Sequence, residues 1–158
     1  MAFYVTIFIA MSELIGNPKA RFNYEILETI EAGVKLRGFE VKALKGKRGS
    51  LEGSHVIIRG GEAFVINMFI PPYQVGNTPG DYEPRSNRKL LIGRKEIMRL
   101  ASLESGKGLT IVPISVYNKG PFVKVSIAVV RGKKKFDKRE SIKKRETDRT
   151  VRREYVDR

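Results

Sequence analysis

The residue types that most often perform catalysis are scarce in this chain. His55 is the one histidine and there is no cysteine, which excludes thiol nucleophiles, thiolate metal sites and disulfides. We interpret His55, at the start of a β-rich run, as a surface or sheet-edge residue. No glycine-rich loop is followed by Lys-Ser or Lys-Thr, so the usual phosphate-binding loop is missing. We therefore expect no enzymatic activity, no metal site and no cofactor.

Two carboxylates stand beside glycines in this basic protein. They lie in the segments Glu31-Ala32-Gly33 and Gly38-Phe39-Glu40-Val41-Lys42. Such a carboxylate can neutralise a neighbouring Lys or Arg, or it can accept hydrogen bonds from the amino groups of bases. Composition alone favours the neutralising role for both.

Basic residues dominate the composition and indicate the class of partner. The 158 residues include 31 Lys and Arg against 17 Asp and Glu, a net charge of +14. Such a bias favours a polyanion such as nucleic acid, or less often an anionic membrane surface. The lack of cysteine also fits a reducing, cytoplasmic location.

Half of this net charge lies in the C-terminal part of the chain. Residues 131–158 contain 13 Lys and Arg and six Asp and Glu, with few large apolar side chains, too few to offset the entropy of ordering. Glu140 and Lys144 have the i, i+4 spacing of a helical pair. We expect a tail at 132–158 that is disordered alone and helical on a polyanionic surface. Phe136 could stack on a base or close one end of the folded body, and the sequence leaves both open.

The elements that must position these residues are mainly strands. Two segments with i, i+3, i+4 apolar spacing predict short helices at 38–45 and 94–105. Gly60-Gly61 between two β-rich runs predicts a hairpin. Alternation of apolar and polar residues predicts strands at 24–36 (bent at Gly33), 54–59, 62–68, 89–92, 109–116 and 122–130.

Five or six strands with two or three short helices are typical of an oligonucleotide-binding-fold-like antiparallel β-barrel. A half-open barrel with basic loops suits nucleic-acid binding. We divide the chain into an apolar N-terminal extension at 1–16, an RNA-binding barrel domain at 17–131 and the basic tail at 132–158.

The beginning of the chain permits several interpretations. Residues 2–11 are apolar apart from Thr6, but this run is shorter than the about 20 residues that span a bilayer. Three interpretations stay open. The run is a short strand or a disordered extension, or it is an artefact upstream of a true start at Met11, or it is a membrane anchor.

Several motifs occur along the chain in a characteristic order. They are Lys19-Ala20-Arg21…Tyr24, Glu31-Ala32-Gly33, Gly38-x-Glu40-Val41-Lys42-x-Leu44, Gly61-Glu62-Ala63-Phe64, Arg88-Lys89-Leu90-Leu91, Gly108-Leu109-Thr110-Ile111-Val112-Pro113 and Gly132-Lys133-Lys134-x-x-Asp137-Lys138-Arg139. In this order the motifs resemble one family, that of the SsrA-binding proteins (small protein B, SmpB). The resemblance covers about residues 17 to 146, and the block from Gly132 to Arg139 is its most specific part.

The resemblance implies an RNA-binding protein of trans-translation without chemistry of its own. Such a protein binds the tRNA-like domain of transfer-messenger RNA and delivers it to ribosomes stalled on mRNA that lacks a stop codon. The C-terminal tail becomes helical in the empty mRNA channel beside the decoding centre of the small subunit. Elongation factor Tu is an indirect partner in the delivery complex. We expect a monomer that has no membrane partner.

The resemblance also assigns residues. Glu31, Leu91 and Lys124 match positions that hold the RNA, which reverses the interpretation of Glu31 from composition. Asp137, Lys138 and Arg139 match the block for ribosome engagement, to which we add Phe136. The expected phosphate contacts are Lys19, Arg21, Lys42, Arg88, Lys89, Lys133 and Lys134.

The sequence departs from the family pattern at three places, namely Phe22 and Phe69, where His is common, and Ile92-Gly93, where a third Leu is usual. These departures affect local contacts only. Two other functions stay open. A general or ribosomal RNA-binding barrel protein would bind many structured RNAs about equally. An RNA-processing enzyme would lose turnover on mutation of Glu31 or Glu40.

Overall fold

The computed structural model describes residues 11–106, 108–133 and 135–156, and it confirms a mainly β, antiparallel architecture. The predicted Gly60-Gly61 turn joins the strands His55–Arg59 and Glu62–Ile66, and both glycines have positive φ, 61° and 75°. The described elements, in chain order, are β1 (Met11–Gly16), α1 (Pro18–Asn23), β2 (Tyr24–Val34), α2 (Gly38–Lys45), β3 (His55–Arg59), β4 (Glu62–Ile66), a 3-10 turn (Val75–Asn77), β5 (Arg88–Leu91), α3 (Arg94–Glu104), β6 (Leu109–Lys119), β7 (Phe122–Gly132) and α4 (Lys135–Val156).

The seven strands form one sheet in the order β1-β6-β7-β2-β5-β4-β3, and every ladder is antiparallel. Within the residues described, no ladder joins the edge strands β1 and β3, so the sheet is barrel-like but open. Helix α3 contacts both β3 and β6. Its Glu104 side chain accepts a hydrogen bond from the N–H of Ile58 (3.3 Å). One backbone donor of the edge strand β3 is thereby satisfied by α3.

Strand β2 belongs to two ladders. It pairs with β7 from Tyr24 to Gly33 and with β5 at Gly33 and Val34. The β2–β7 register shifts between Ile26 and Glu28, so the strand has its bulge at Leu27 and not at Gly33, where the sequence predicts a bend. Gly33 instead lies where β5 and β7 approach β2 from opposite sides, and an added Cβ would stand 3.1 Å from the Cβ of Leu91.

Strand β1 extends the folded body beyond the predicted domain boundary at residue 17. It pairs with β6, and its Leu14 and Ile15 are buried in the main core. The core lies between the curled strands and α2, whose Ala43 and Leu44 have no exposed surface. Residues 1–10, to which the three interpretations of the N-terminus apply, lie outside the described residues.

A second, smaller core lies on the outer face of the sheet under helix α1. Its members are Ala20 of α1 together with Val112, Ile114, Ala128 and Val130 of β6 and β7. Asn17 caps α1 by accepting a hydrogen bond from the Ala20 N–H (3.2 Å), and its side-chain amide donates to the Pro113 carbonyl (2.9 Å). The cap therefore also fixes the helix to β6.

The tail is helical from Lys135 to Val156, which is one of the two conformations that the sequence allows. Helix α4 contacts α1. In the part of the chain that the structure describes, no helix is both long and apolar enough to cross a membrane.

Candidate nucleic-acid interface

Four residues from four neighbouring strands form a row across the outer face of the sheet. Leu91 of β5 pairs with Gly33 of β2, Gly33 pairs with Lys124 of β7, and Lys124 pairs with Tyr117 of β6. Residues that lie directly opposite each other in adjacent strands share a face. Glu31 is two residues from Gly33 in β2 and therefore lies on the same face. The structure thus brings together Glu31, Leu91 and Lys124, which we call the central surface.

Glu31 is held by hydrogen bonds from β6 while its carboxylate remains accessible to solvent. The Tyr117 hydroxyl donates to Oε2. The Lys119 ammonium donates to Oε1 at 2.9 Å and to Oε2 at 3.2 Å. The central surface therefore presents a fixed carboxylate among cations.

The same contacts perturb two pKa values. The Tyr117 hydrogen bond, with smaller contributions from Lys119 and Lys124, lowers the pKa of Glu31 against the opposing effect of burial. Burial raises the pKa of Tyr117, and the hydrogen bond to Glu31 adds to the rise. Glu31 is therefore an anion and Tyr117 a neutral donor at neutral pH.

A cleft opens beside Leu91 and Lys124. Its walls include Val41 of α2, Leu91 of β5 and Phe122 of β7, and its volume is about 310 Å³. The Lys124 ammonium lies 5.8 Å from the centroid of the Phe122 ring. An apolar cleft with one cation at its side can accept a flat, anionic or phosphate-linked group.

Two other predicted phosphate contacts lie near the central surface. Lys89 is two residues before Leu91 in β5 and forms an exposed ion pair with Glu62 at 2.8 Å. Lys42 follows Val41 in α2, and its ammonium lies 6.0 Å from the centroid of the Tyr73 ring. Both cations are accessible enough to exchange their present contacts for phosphates.

Arg88 differs from the other predicted contacts because it is buried. Only 3% of its surface is exposed. Its guanidinium donates to Glu40 (Nε to Oε2, 2.8 Å), to the Tyr82 hydroxyl (3.0 Å), and to the carbonyls of Met68 and Pro84 (2.9 Å for Pro84). All three nitrogens are thus used inside the protein. The predicted phosphate contact at Arg88 does not fit this arrangement, and Glu40 has the neutralising role that composition favours.

A second basic region lies at the α1 end of the same sheet face. Ala128 and Val130 of β7 lie on the same face as Lys124, because each is an even number of residues away from it. Both pack under α1. A strand rises about 3.4 Å per residue. Lys19 of α1 forms an exposed ion pair with Glu52. Arg21 is exposed. The structure therefore places Lys19 and Arg21 roughly 20 Å or less from the central surface, on the same side of the sheet.

The beginning of the tail joins this α1 region. The Lys133 N–H donates to the Asn23 carbonyl (3.0 Å), and its ammonium donates to the Ser141 hydroxyl (3.3 Å). Arg145 lies over the ring of Phe22, 5.5 Å from its centroid. A cation on an aromatic face is weakly attractive. These contacts hold the first half of α4 against α1.

The block predicted for ribosome engagement lies in the first turns of α4. Lys138 is half-buried and Arg139 is exposed. Phe136 and Asp137 belong to the helix, but their side chains lie outside what is described, as does the whole of Lys134. Among the described residues, no group of His, Asp and Glu could hold a metal ion.

Three residues of this surface are not predicted from the sequence, namely Tyr117, Lys119 and Phe122. Tyr117 could be noticed in the sequence, because a tyrosine in a largely buried strand needs a partner for its hydroxyl. That partner, Glu31, is 86 residues away in the chain, so the pairing follows only from the register of three strands.

Known proteins resemble this chain over most of its length. A family model described as SmpB protein matches residues 14–157. The SsrA-binding protein of Thermosipho africanus is 47% identical over 149 residues, which cover 94% of this chain and 99% of the relative. That of Gloeothece citriformis is 47% identical over 140 residues, covering 89% and 90%. A solved structure described as "tmRNA-SmpB: a journey to the center of the bacterial ribosome" has a TM-score of 0.65 at 37% identity, covering 83% of this chain and 95% of that chain.

Proposed function

This chain belongs to the SmpB family, and on that premise we propose that it binds transfer-messenger RNA and acts with it in trans-translation on stalled ribosomes. The observation that carries the proposal is the row Leu91–Gly33–Lys124–Tyr117. It gathers residues from distant parts of the chain into one cationic, partly apolar surface that contains a fixed carboxylate.

Each group on the central surface suits a different part of an RNA. The ammonium groups of Lys124 and Lys89 can neutralise RNA phosphates, and such neutralisation supplies most of the sequence-independent affinity for RNA. The Glu31 carboxylate, ionised and already oriented by Tyr117, can accept hydrogen bonds from base amino groups. Leu91, with 56% of its surface exposed, offers apolar contact to a base or sugar. The combination selects a folded RNA rather than any polyanion.

The α1 region extends the RNA surface along the same sheet face. Lys19, Arg21 and Lys133 lie there, while Lys42 lies on α2 beside Tyr73. We assign phosphate contacts to these four residues together with Lys89, and we include Lys134 on the strength of the motif alone. Arg88 serves this surface indirectly, because it anchors the segment that precedes Lys89.

The tail engages the ribosome in this proposal. The block Phe136, Asp137, Lys138 and Arg139 lies in the first turns of α4, and this long helix is rich in cations. Such a helix suits a channel lined with ribosomal RNA phosphates. The protein itself acts by binding and not by catalysis. Cytoplasmic location, a monomeric state and an indirect link to elongation factor Tu remain predictions.

The proposal is tested by measuring binding of the full chain to the isolated tRNA-like domain of transfer-messenger RNA. Glu31→Ala and Lys124→Ala should each weaken binding by about ten-fold or more, because each removes a charge-assisted contact of roughly 1.5–3 kcal/mol. Lys95→Ala, which removes an exposed cation from α3, is the matched control and should change affinity by less than about two-fold. Unchanged affinity for both test variants would refute the assignment of the central surface.

A competition experiment distinguishes the proposed function from that of a general structured-RNA-binding protein. An excess of an unrelated folded RNA at moderate salt should leave the specific complex largely intact. Equal competition by that RNA would favour the general protein.

A further inference from the structure

Phe122 is exposed in a way that the contacts assigned so far do not explain. This residue keeps 64% of its surface exposed, and it is the first residue of β7, directly after the Gly120-Pro121 turn. The turn is tight, with φ of 57° at Gly120. The ring is therefore presented at a fixed place beside Lys124.

The cleft next to this ring has the shape and lining of a base site. Gly33 leaves room between the walls formed by Leu91 and Phe122, and Leu36 and Val41 complete the apolar lining. Its volume of about 310 Å³ is at the lower end of small-ligand pockets, roughly 300–1,000 Å³, which suits one nucleotide. Lys124 is the one charged side chain among the lining residues.

We propose that this cleft binds a single unstacked base of the RNA, which stacks on Phe122 and packs against Leu91 while Lys124 neutralises the adjacent phosphate. The inference rests on the proposed function and names a base-binding site within it. Three features identify the occupant. The ring provides a π-face, as sequence-tolerant base stacking requires. The lining is too apolar for a phosphate or a carboxylate alone. The ammonium, 5.8 Å from the ring centroid, is positioned for the backbone of a nucleotide stacked there.

The first test compares the full-length wild type with Phe122→Ala, Phe122→Leu and Phe122→Tyr for binding to the tRNA-like RNA domain. Base stacking on an aromatic side chain corresponds to about 5- to 150-fold in affinity, so Phe122→Ala should weaken binding within that range. Phe122→Leu keeps apolar bulk without a π-face and should be weakened nearly as much, whereas Phe122→Tyr should bind like the wild type. Met98→Ala, at an α3 position 68% exposed, is the control for loss of an exposed apolar side chain.

Salt dependence separates stacking from charge. Phe122→Ala should shift the affinity without changing its slope against log salt concentration. Lys124→Gln should lower the magnitude of that slope by about 0.7–0.9, which corresponds to one phosphate.

The second test locates the base. Single abasic substitutions are scanned through the unpaired nucleotides of the RNA, and one position should weaken binding of the wild type but not of Phe122→Ala, as a double-mutant cycle requires for partners in contact. The base site is overturned if Phe122→Ala binds within about two-fold of the wild type, if Phe122→Leu binds like it, or if no abasic position couples to Phe122. Wild-type protein that does not prefer this RNA would instead refute the proposed function itself, so the two failures are distinguishable.

Discussion

Replacement of Arg88 by Met tests whether this residue is structural, as its burial indicates. Its Nη2 lies 2.7 Å from Oε2 of Glu40, and only 3% and 5% of the two side chains are exposed. Met removes the charge while filling a similar volume. Glu40 then keeps its hydrogen bonds from the Arg37 N–H (2.9 Å) and the Tyr82 hydroxyl (3.2 Å) but has no countercharge.

The expected loss of stability is large. Removing one partner of a buried ion pair costs about 3–5 kcal/mol, because the other charge is left uncompensated. The carbonyls of Met68 and Pro84 also lose their donor. For a chain of this size each kcal/mol lowers Tm by about 2–4 °C, so Arg88→Met should lower Tm by roughly 6–20 °C.

Urea unfolding followed by circular dichroism measures this loss, and the adjacent residue supplies a matched control. Lys89 forms an ion pair of similar length with Glu62, 2.8 Å, but the two side chains are 40% and 48% exposed. Lys89→Met should therefore cost only about 0–1 kcal/mol. If Arg88→Met cost no more than Lys89→Met, the structural role of Arg88 would be refuted. If RNA binding by Arg88→Met depended less steeply on salt concentration than binding by the wild type, the result would support the phosphate contact predicted for Arg88 from the sequence.

Two further predictions concern Glu31 and the tail. Tyr117→Phe removes the hydrogen bond that most lowers the pKa of Glu31, so an NMR titration of its carboxyl should show that pKa move up towards 4.5. The lowered pKa of Glu31 stabilises the wild-type protein above pH 4.5, and this stabilisation is lost as the pH falls through the folded-state pKa. The raised pKa of Tyr117 makes the wild-type protein less stable as the pH rises above 10. The stability of Tyr117→Phe should change less in both pH ranges, and identical pH profiles of the two proteins would contradict this. Deletion of residues 137–158 should leave the affinity for the tRNA-like domain within a few-fold but abolish tagging of stalled chains in a translation extract, whereas normal tagging would contradict the role of the tail.

Local signals in the sequence predict most of the elements correctly. The Gly60-Gly61 turn is predictable because positive φ at two successive positions is a property of glycine pairs. Helix α3 is predictable because Ile97 and Leu100 form its buried stripe. Strand β1 is not, because its buried residues Leu14 and Ile15 are adjacent and show no alternation, and its partner, β6, lies about a hundred residues later.

Predictions fail mainly where a residue's role depends on strand register. Gly33 permits a bulge, but the bulge occurs at Leu27, and Gly33 serves the close approach of Leu91 instead. Arg88 and Lys89 look alike as neighbouring cations, yet alternation along β5 directs one to the interior and the other to solvent. Resemblance to a family identifies Glu31, whereas only the register with β6 identifies its partner Tyr117.

The pairing of β2 with β7 also constrains when the protein becomes active during its own synthesis. Gly33 leaves the ribosome early, but its neighbour in the row, Lys124, is synthesised about ninety residues later. Contacts of such long sequence separation make folding slow, because a large loop must close before they form. An incomplete chain therefore has no central surface and cannot capture its RNA. Since almost the whole barrel must be made before β7 is added, RNA-binding competence arises late and in one step, when little more than the tail remains to be translated.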